Sequence, residues 1–254
     1  MKRTLLLAYA LVAWVGFLTT VAWSITFLAD VDWITTVDRP RHGSTAAAVV
    51  VDLVVLGIFA VHHSVMARPA AKRVLTRIVP QAAERSTYVL VADLLLALVL
   101  WQWHSLPHSI WHVGQPWTAV LWTVFGAGWA LAIASTFMID HFDLVGLRQA
   151  ASRNYAAPPF QVRWLYRLVR HPLMLGLLIA FWATPSMSVG HLLFAIASSG
   201  YIAVGVWFEE RDLRTALGEP YAAYARTTPA VIPGLRSRTG TGSAAASPRR
   251  RAMR

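Results

Sequence analysis

The chain has 254 residues, of which 56% are hydrophobic and only 14% charged, well under the roughly 25% of an average soluble domain. That balance excludes an ordinary water-soluble domain, and the absence of cysteine excludes disulfides, thiolate metal sites and a covalent cysteine relay. The formal net charge of +11 is not a nucleic-acid footprint, because no interleaved basic and aromatic pattern lies outside the apolar runs.

A hydrocarbon core about 30 Å thick takes around 20 apolar residues in helical form. In chain order, Thr4 to Ala29, Thr45 to Met66, Thr87 to Trp103 and Trp117 to Ile139 each read as one span, and Pro172 to Phe208 is long enough for two. The first run follows Met-Lys-Arg but far exceeds the roughly 7 to 15 residues of a signal-peptide core, so it reads as an anchor. In the last stretch, Thr184-Pro185-Ser186-Met187-Ser188-Val189-Gly190 brackets small polar residues with Pro and Gly and marks a turn. The expected architecture is therefore an all-α integral membrane protein with four transmembrane helices plus a C-terminal transmembrane helical hairpin.

Lysine and arginine resist translocation and set the orientation. Two lie at the start of the chain, five in 67–86, five in 140–171 and nine after Phe208; only Arg39 and Arg41 remain. These four segments alternate with the others, which places them and both termini on the cytoplasmic side. Residues 1–234 read as one domain. Residues 235–254 turn to Gly, Ser, Thr, Ala and Arg and read as a disordered basic cytoplasmic tail, able to attract anionic lipid.

Several polar residues inside the spans favour structural roles. Asp52 and Asp93 are costly in hydrocarbon and call for a partner or a cavity. His62 and His63, adjacent on a helix, do not share a face, which argues against a metal pair and for the interface. Gly126-Ala127-Gly128 lies mid-span with no strand before it, so close helix packing accounts for it better than a nucleotide loop. Trp101, Trp103, Trp111 and Trp117 gather at the outer ends of spans three and four, as an aromatic belt does.

The stretch from Asp140 to Arg170 is too polar to span, contains Pro158-Pro159 and lies on the inside face. It ends in Arg170-His171-Pro172-Leu173-Met174-Leu175-Gly176. Proline is at home in the first turn of a helix, so Pro172 opens the fifth span with free N–H groups aimed at the cytoplasm. Those amides and Arg170 would favour a carboxylate or phosphate, and Gly176 would admit a ligand or a neighbouring helix. The same residues also read as a positive-inside boundary with helix packing. At the exit of the hairpin, Glu209-Glu210 returns to the level of Arg170 and His171, where a glutamate could accept from hydroxyls or an ammonium group or pair with Arg170; Glu210 and Arg214 are also an i, i+4 pair.

Arg170 to Gly176, the pair Glu209-Glu210, Leu217-Gly218-Glu219-Pro220-Tyr221-Ala222-Ala223-Tyr224 and Pro229 to Pro233 resemble the signature of the isoprenylcysteine carboxyl methyltransferase superfamily, integral membrane enzymes that use S-adenosylmethionine. Met138 to Gln149 and Ala180 to His191 resemble its methanethiol S-methyltransferase branch, which forms dimethyl sulfide. The resemblance implies a cytoplasmic cofactor pocket between the hairpin and the segments after it. Its motif falls on Arg170, His171, Met174, Gly176, Glu209, Glu210, Tyr221 and Tyr224. Two positions depart from it: Met174 stands where the family usually has tyrosine, and Thr227, after Arg226, where it often has arginine.

The residue types agree with that implication. S-adenosylmethionine carries a carboxylate, an ammonium, a ribose diol and an adenine, and Arg170, Glu209, Glu210 and Tyr221 or Tyr224 are suitable neighbours. The acceptor thiol must lose its proton, and Asp140, His141 and Asp143 at the end of span four are candidates for binding and deprotonating it. They read equally as a capped polar helix end. The catalytic candidates are thus Arg170, Glu210, Asp140 and His141, and no metal is expected. The expected activity is S-methylation of a small thiol, methanethiol to dimethyl sulfide, by a protein in a bacterial plasma membrane. The rivals are a methyltransferase for a prenylcysteine carboxylate or lipid head group, and a non-catalytic membrane protein or transporter.

Overall fold

The computed structural model describes residues 3–32, 34–39, 44–156 and 160–234. The predicted tail, Pro158-Pro159, Lys2 and Arg41 lie outside the described residues. In chain order the elements are α1 (Arg3–Leu28), α2 (Thr45–Met66), α3 (Pro69–Leu75), α4 (Glu84–Gln102), β1 (Ser109–His112), α5 (Trp117–Ile139), α6 (His141–Leu144), α7 (Leu147–Ala151), α8 (Pro172–Trp182), β2 (Ser186–Ser188), α9 (Val189–Leu217) and α10 (Glu219–Thr227).

Four helices, α1, α2, α5 and α9, are long and apolar enough to cross a membrane. The predicted third span, Thr87 to Trp103, lies in a helix, α4, whose 19 residues include Glu84, Arg85 and Asp93, and it is not among these four. The final apolar stretch divides unequally. Its first arm, α8, has only 11 residues, about 16 Å at 1.5 Å per residue and too short to span hydrocarbon by itself. Hydropathy counted the whole stretch, whereas Pro185 ends the helical run early. The predicted turn is also more ordered than a bare turn, because Ser186–Ser188 forms a strand paired antiparallel with β1, with Trp111 opposite Met187 and His112 opposite Ser186. One two-stranded sheet therefore interrupts the expected all-α fold.

Local chemistry sets the helix starts. The Ser44 hydroxyl accepts from the Ala47 amide at 3.2 Å and opens α2. Ser188 accepts from the His191 amide at 3.0 Å and opens α9, each satisfying an amide that a helix start leaves unpaired. Pro172 occupies the first turn of α8.

Helices α5 and α8 approach at backbone distance. A Cβ on Gly176 would lie 2.6 Å from both the Gly128 oxygen and the Ala132 nitrogen, and one on Gly128 would lie 2.8 Å from the Gly176 oxygen and 2.9 Å from the Ala180 nitrogen. The two glycines serve helix packing, as expected for Gly128. Because Ala132 meets Gly176 while Gly128 reaches Ala180, the helices run antiparallel, and the end of α5 lies at the level of Arg170.

The half of the bundle away from Arg170 is sealed by Phe27, Trp103, Phe181 and Phe194, whose rings meet at 5.3–6.3 Å in tilted and edge-on contacts. Trp103 is thus core, not part of an interfacial belt; its neighbours Trp101 and Trp117 are exposed. Asp52 accepts from the His104 amide at 3.0 Å and lies 2.9 Å from its ring Nδ1, fastening α2 to the exit of α4. Asp93 is buried beside Gly16 of α1, the two aspartates each meeting different elements.

Candidate functional site

The Arg170-His171 turn, α9 and α10 converge on one buried carboxylate. Arg170 donates from Nε to Glu210 Oε1 at 2.7 Å and from Nη2 to Oε2 at 2.9 Å. His171 Nε2 lies 3.0 Å from Oε1, and the Tyr221 hydroxyl donates to the same oxygen at 2.7 Å. Arg214, one turn along α9, adds a contact to Oε2 at 3.3 Å. Charge-assisted, forked hydrogen bonds of this kind fix geometry as well as charge.

The segment after α10 completes the cage. Backbone amides of Arg170 and His171 donate to the carbonyls of Pro229 and Ala230, each at 2.9 Å. Arg170 Nη1 donates to the carbonyls of Ala225, at 3.0 Å, and Thr228. Every nitrogen of the guanidinium is therefore spent on protein acceptors. Arg170 was expected either to offer its fork to a ligand carboxylate or to pair with one of the two glutamates; the carboxylate it grips is that of Glu210. Sequence spacing left the two open, because the partners lie 40 or more residues away.

What remains open is Glu209. Its side chain is 51% exposed, its Oε2 lies 3.5 Å from His171 Nδ1, and its charge acts on the hydroxyls of Tyr88, Tyr166 and Tyr221. The α8 N-terminus beside it has no side-chain cap, and helix geometry leaves the Leu173 and Met174 amides without intrahelical partners. A cavity of about 500 Å³ lined by Arg163, Trp164 and Arg167 opens on the stretch leading into Arg170.

The remaining motif residues support the cage. Tyr221 is 1% exposed and packs edge-on against Phe160 and Tyr224. Burial raises its hydroxyl pKa and the bond to Glu210 raises it further, so it stays a donor. The Tyr224 hydroxyl donates to the Tyr166 carbonyl; burial pushes it up to about 12, against the lowering influence of Arg170. Gly176 faces α5, so of its two predicted roles the structure shows the neighbouring helix. Met174 packs on the hydrophobic core. Arg226 pairs with Glu219 at 2.5 Å on the exposed side of α10, away from the guanidinium cage.

Asp140, His141 and Asp143 form a second cluster that contacts α1 and α4. Asp140 caps α6 by accepting from the Asp143 amide at 3.1 Å and pairs with Arg148. Asp143 accepts from Arg85 Nη1 at 2.7 Å. His141 Nε2 accepts from the Trp14 indole at 2.9 Å, and Nδ1 lies 2.9 Å from Thr136 Oγ1. Thr136 spends its own proton on the Ile133 carbonyl, so His141 Nδ1 is the donor and the ring is neutral. Burial lowers its pKa, only partly offset by Asp140. Both ring nitrogens are thus occupied, and of the two readings of this trio the capped helix end is the one these contacts describe.

Among the described residues no group of three or more His, Cys, Asp or Glu is placed to hold a metal ion. Sequence reasoning missed the Tyr166 carbonyl as the acceptor for Tyr224, and the carbonyls of Ala225 and Thr228 as acceptors for the Arg170 guanidinium, which no local pattern marks.

A multispanning helical membrane protein with a charged cage at one end of its helices is the class that this fold and site define. No family model and no solved structure matches the chain. It is 50% identical over 238 residues to methanethiol S-methyltransferase of Mycobacterium tuberculosis, covering 92% of this chain and 98% of that protein. It is 42% identical over 243 residues to methanethiol S-methyltransferase 2 of Bradyrhizobium diazoefficiens, 94% of each chain, and 40% identical over 241 residues to the methanethiol S-methyltransferase of Crocosphaera subtropica, 92% of this chain and 93% of that one. The chain therefore belongs to the methanethiol S-methyltransferase family and is a methyltransferase.

Proposed function

We propose that the protein transfers a methyl group from S-adenosylmethionine to methanethiol, releasing dimethyl sulfide, in a pocket at the cytoplasmic end of its helices. The observation that carries this reading is the division of labour between the paired glutamates: Glu210 is caged and Glu209 is half-exposed beside an uncapped helix start.

The donor set fits the cofactor. Glu209 is the acceptor for its ammonium and ribose hydroxyls, and His171 lines the same wall. The free amides of Leu173 and Met174, at the positive end of α8, suit its carboxylate. Arg170, Glu210, Tyr221 and Tyr224 hold these groups in place. The cofactor supplies an activated methyl group on a sulfonium. The protein's task is to align the acceptor sulfur with it and to exclude water, which for an in-line displacement is most of the catalysis.

The one-sided lysine and arginine distribution supports a cytoplasmic pocket in a bacterial plasma membrane with both termini inside. In this topology α8 and α9 form a hairpin whose short first arm is buttressed by α5. Isothermal titration of S-adenosylmethionine into the detergent-solubilised protein tests the reading: saturable binding weakened by Glu209→Gln supports it, and no binding removes it.

A further inference from the structure

The three residues that line the cavity of about 500 Å³, Arg163, Trp164 and Arg167, take no part in the Glu210 cage. We infer that this cavity binds the phosphate of an anionic phospholipid of the cytoplasmic leaflet, held by Arg163 and Arg167 with Trp164 beside its glycerol backbone. The inference rests on the cytoplasmic membrane placement proposed for the start of α8 and is independent of which acceptor is methylated.

The charge is available for a ligand. Arg163 and Arg167 are exposed, and among the described residues neither guanidinium meets an acid or a carbonyl. Four other arginines of the cytoplasmic segments are paired: Arg170 with Glu210, Arg148 with Asp140, Arg85 with Asp143 and Arg226 with Glu219. Two unpaired guanidiniums at the wall of one cavity call for an oxyanion, to which each can present a planar fork of donors.

The turn that carries them is fixed by its backbone. The Tyr166 amide donates to the Arg163 carbonyl at 2.9 Å, and the Leu168 and Val169 amides donate to the Leu165 carbonyl at 2.9 and 3.1 Å. Trp164 sits in the left-handed region at φ 47°. A bulky side chain takes that conformation only where its surroundings impose it, and such positions gather at ligand clamps.

The apolar surface around the arginines selects a lipid over a free phosphate. Phe160, Trp164 and Leu168 are exposed at 42%, 77% and 63%, and the lining of the cavity is mostly apolar. The segment lies shortly before Pro172, where the chain enters the apolar helix α8. Tryptophan beside arginine at such an entry suits the headgroup layer, with indole and leucine toward acyl chains and guanidiniums toward phosphates. In water the same side chains would form an exposed apolar patch, which marks an interaction site.

Native mass spectrometry of the full-length protein in zwitterionic detergent tests the site, with short-chain phosphatidylglycerol, phosphatidylcholine and inorganic phosphate as probes. One phosphatidylglycerol should bind saturably, more tightly than phosphatidylcholine by about tenfold or more, as two arginines imply, and inorganic phosphate at equal concentration should not displace it. Arg163→Gln and Arg167→Gln should each weaken the lipid about fivefold, the double variant more than either, and Arg167→Lys less than Arg167→Gln. The unfolding midpoint and the S-adenosylmethionine affinity measured without lipid should stay at their wild-type values, because no protein partner is lost. A double variant with wild-type affinity for phosphatidylglycerol overturns the inference, as does equal binding of phosphatidylcholine or inorganic phosphate. Loss of S-adenosylmethionine affinity in the lipid-free double variant would assign the cavity to the methyl donor and overturn it too. Phosphatidylglycerol binding by a protein that binds no S-adenosylmethionine would remove the methyl-transfer reading and leave this site in place.

Discussion

Arg170 and Glu210 meet fork to fork, at 2.7 and 2.9 Å, with side chains only 4% and 12% exposed. Removing one partner of such a pair leaves an uncompensated buried charge, at a cost of about 3–5 kcal/mol. Arg170→Ala should therefore lower the thermal midpoint in detergent sharply and abolish binding of S-adenosylmethionine. Arg170→Lys should recover little of either, because a point charge cannot replace a planar fork with further bonds to two carbonyls.

The paired glutamates should separate by readout. Glu209→Gln removes a half-exposed carboxylate and should change stability by no more than about 0.5 kcal/mol, while weakening S-adenosylmethionine in titration calorimetry. Glu210→Gln should destabilise the fold, because Arg170, His171 and Tyr221 would all lose their common anion. Equal loss of stability in the two variants would contradict the division of roles.

Helix packing offers a direct stability test. Gly176→Ala drives a methyl group to 2.6 Å from α5 backbone, and overpacking of this kind costs about 1–3 kcal/mol. Gly126→Ala, with nothing within 4 Å, should leave the unfolding midpoint unchanged.

His141 makes stability sensitive to acid. Its pKa in the folded chain is lowered by burial from a starting value of 6.5, so the unfolded state binds the proton more readily. Its contribution is complete above the unfolded value and is lost as pH falls through the folded one. Unfolding midpoints measured from pH 7.5 to pH 5 should fall, and His141→Gln should flatten that slope while retaining methyl transfer.

Much of this molecule was legible in the sequence where the signal is local. Thr45 to Met66 is one helix because a predominantly apolar run, charged only at Asp52, has no other low-energy state in lipid. The Arg170-His171-Pro172 turn and the two glutamates were legible as one site because α9 begins soon after α8 ends and returns along it. What tertiary contacts decide was not legible. Four residues of β1 and three of β2 are too short for a periodicity signal and form only by pairing across 70 or more residues. Trp103 looked interfacial by position but fills the ring cluster between α1 and α9. That the Arg170 fork is filled by Glu210 follows from helix placement, which hydropathy does not encode.

The central claim is settled most directly by isotope transfer. Membranes carrying the protein, supplied with methanethiol and S-adenosylmethionine deuterated in its transferable methyl group, should release dimethyl sulfide bearing one deuterated methyl in headspace mass spectrometry, with Glu209→Gln greatly reduced at limiting donor. Absence of labelled dimethyl sulfide from folded wild-type protein, or undiminished release from Glu209→Gln under the same conditions, would contradict the account.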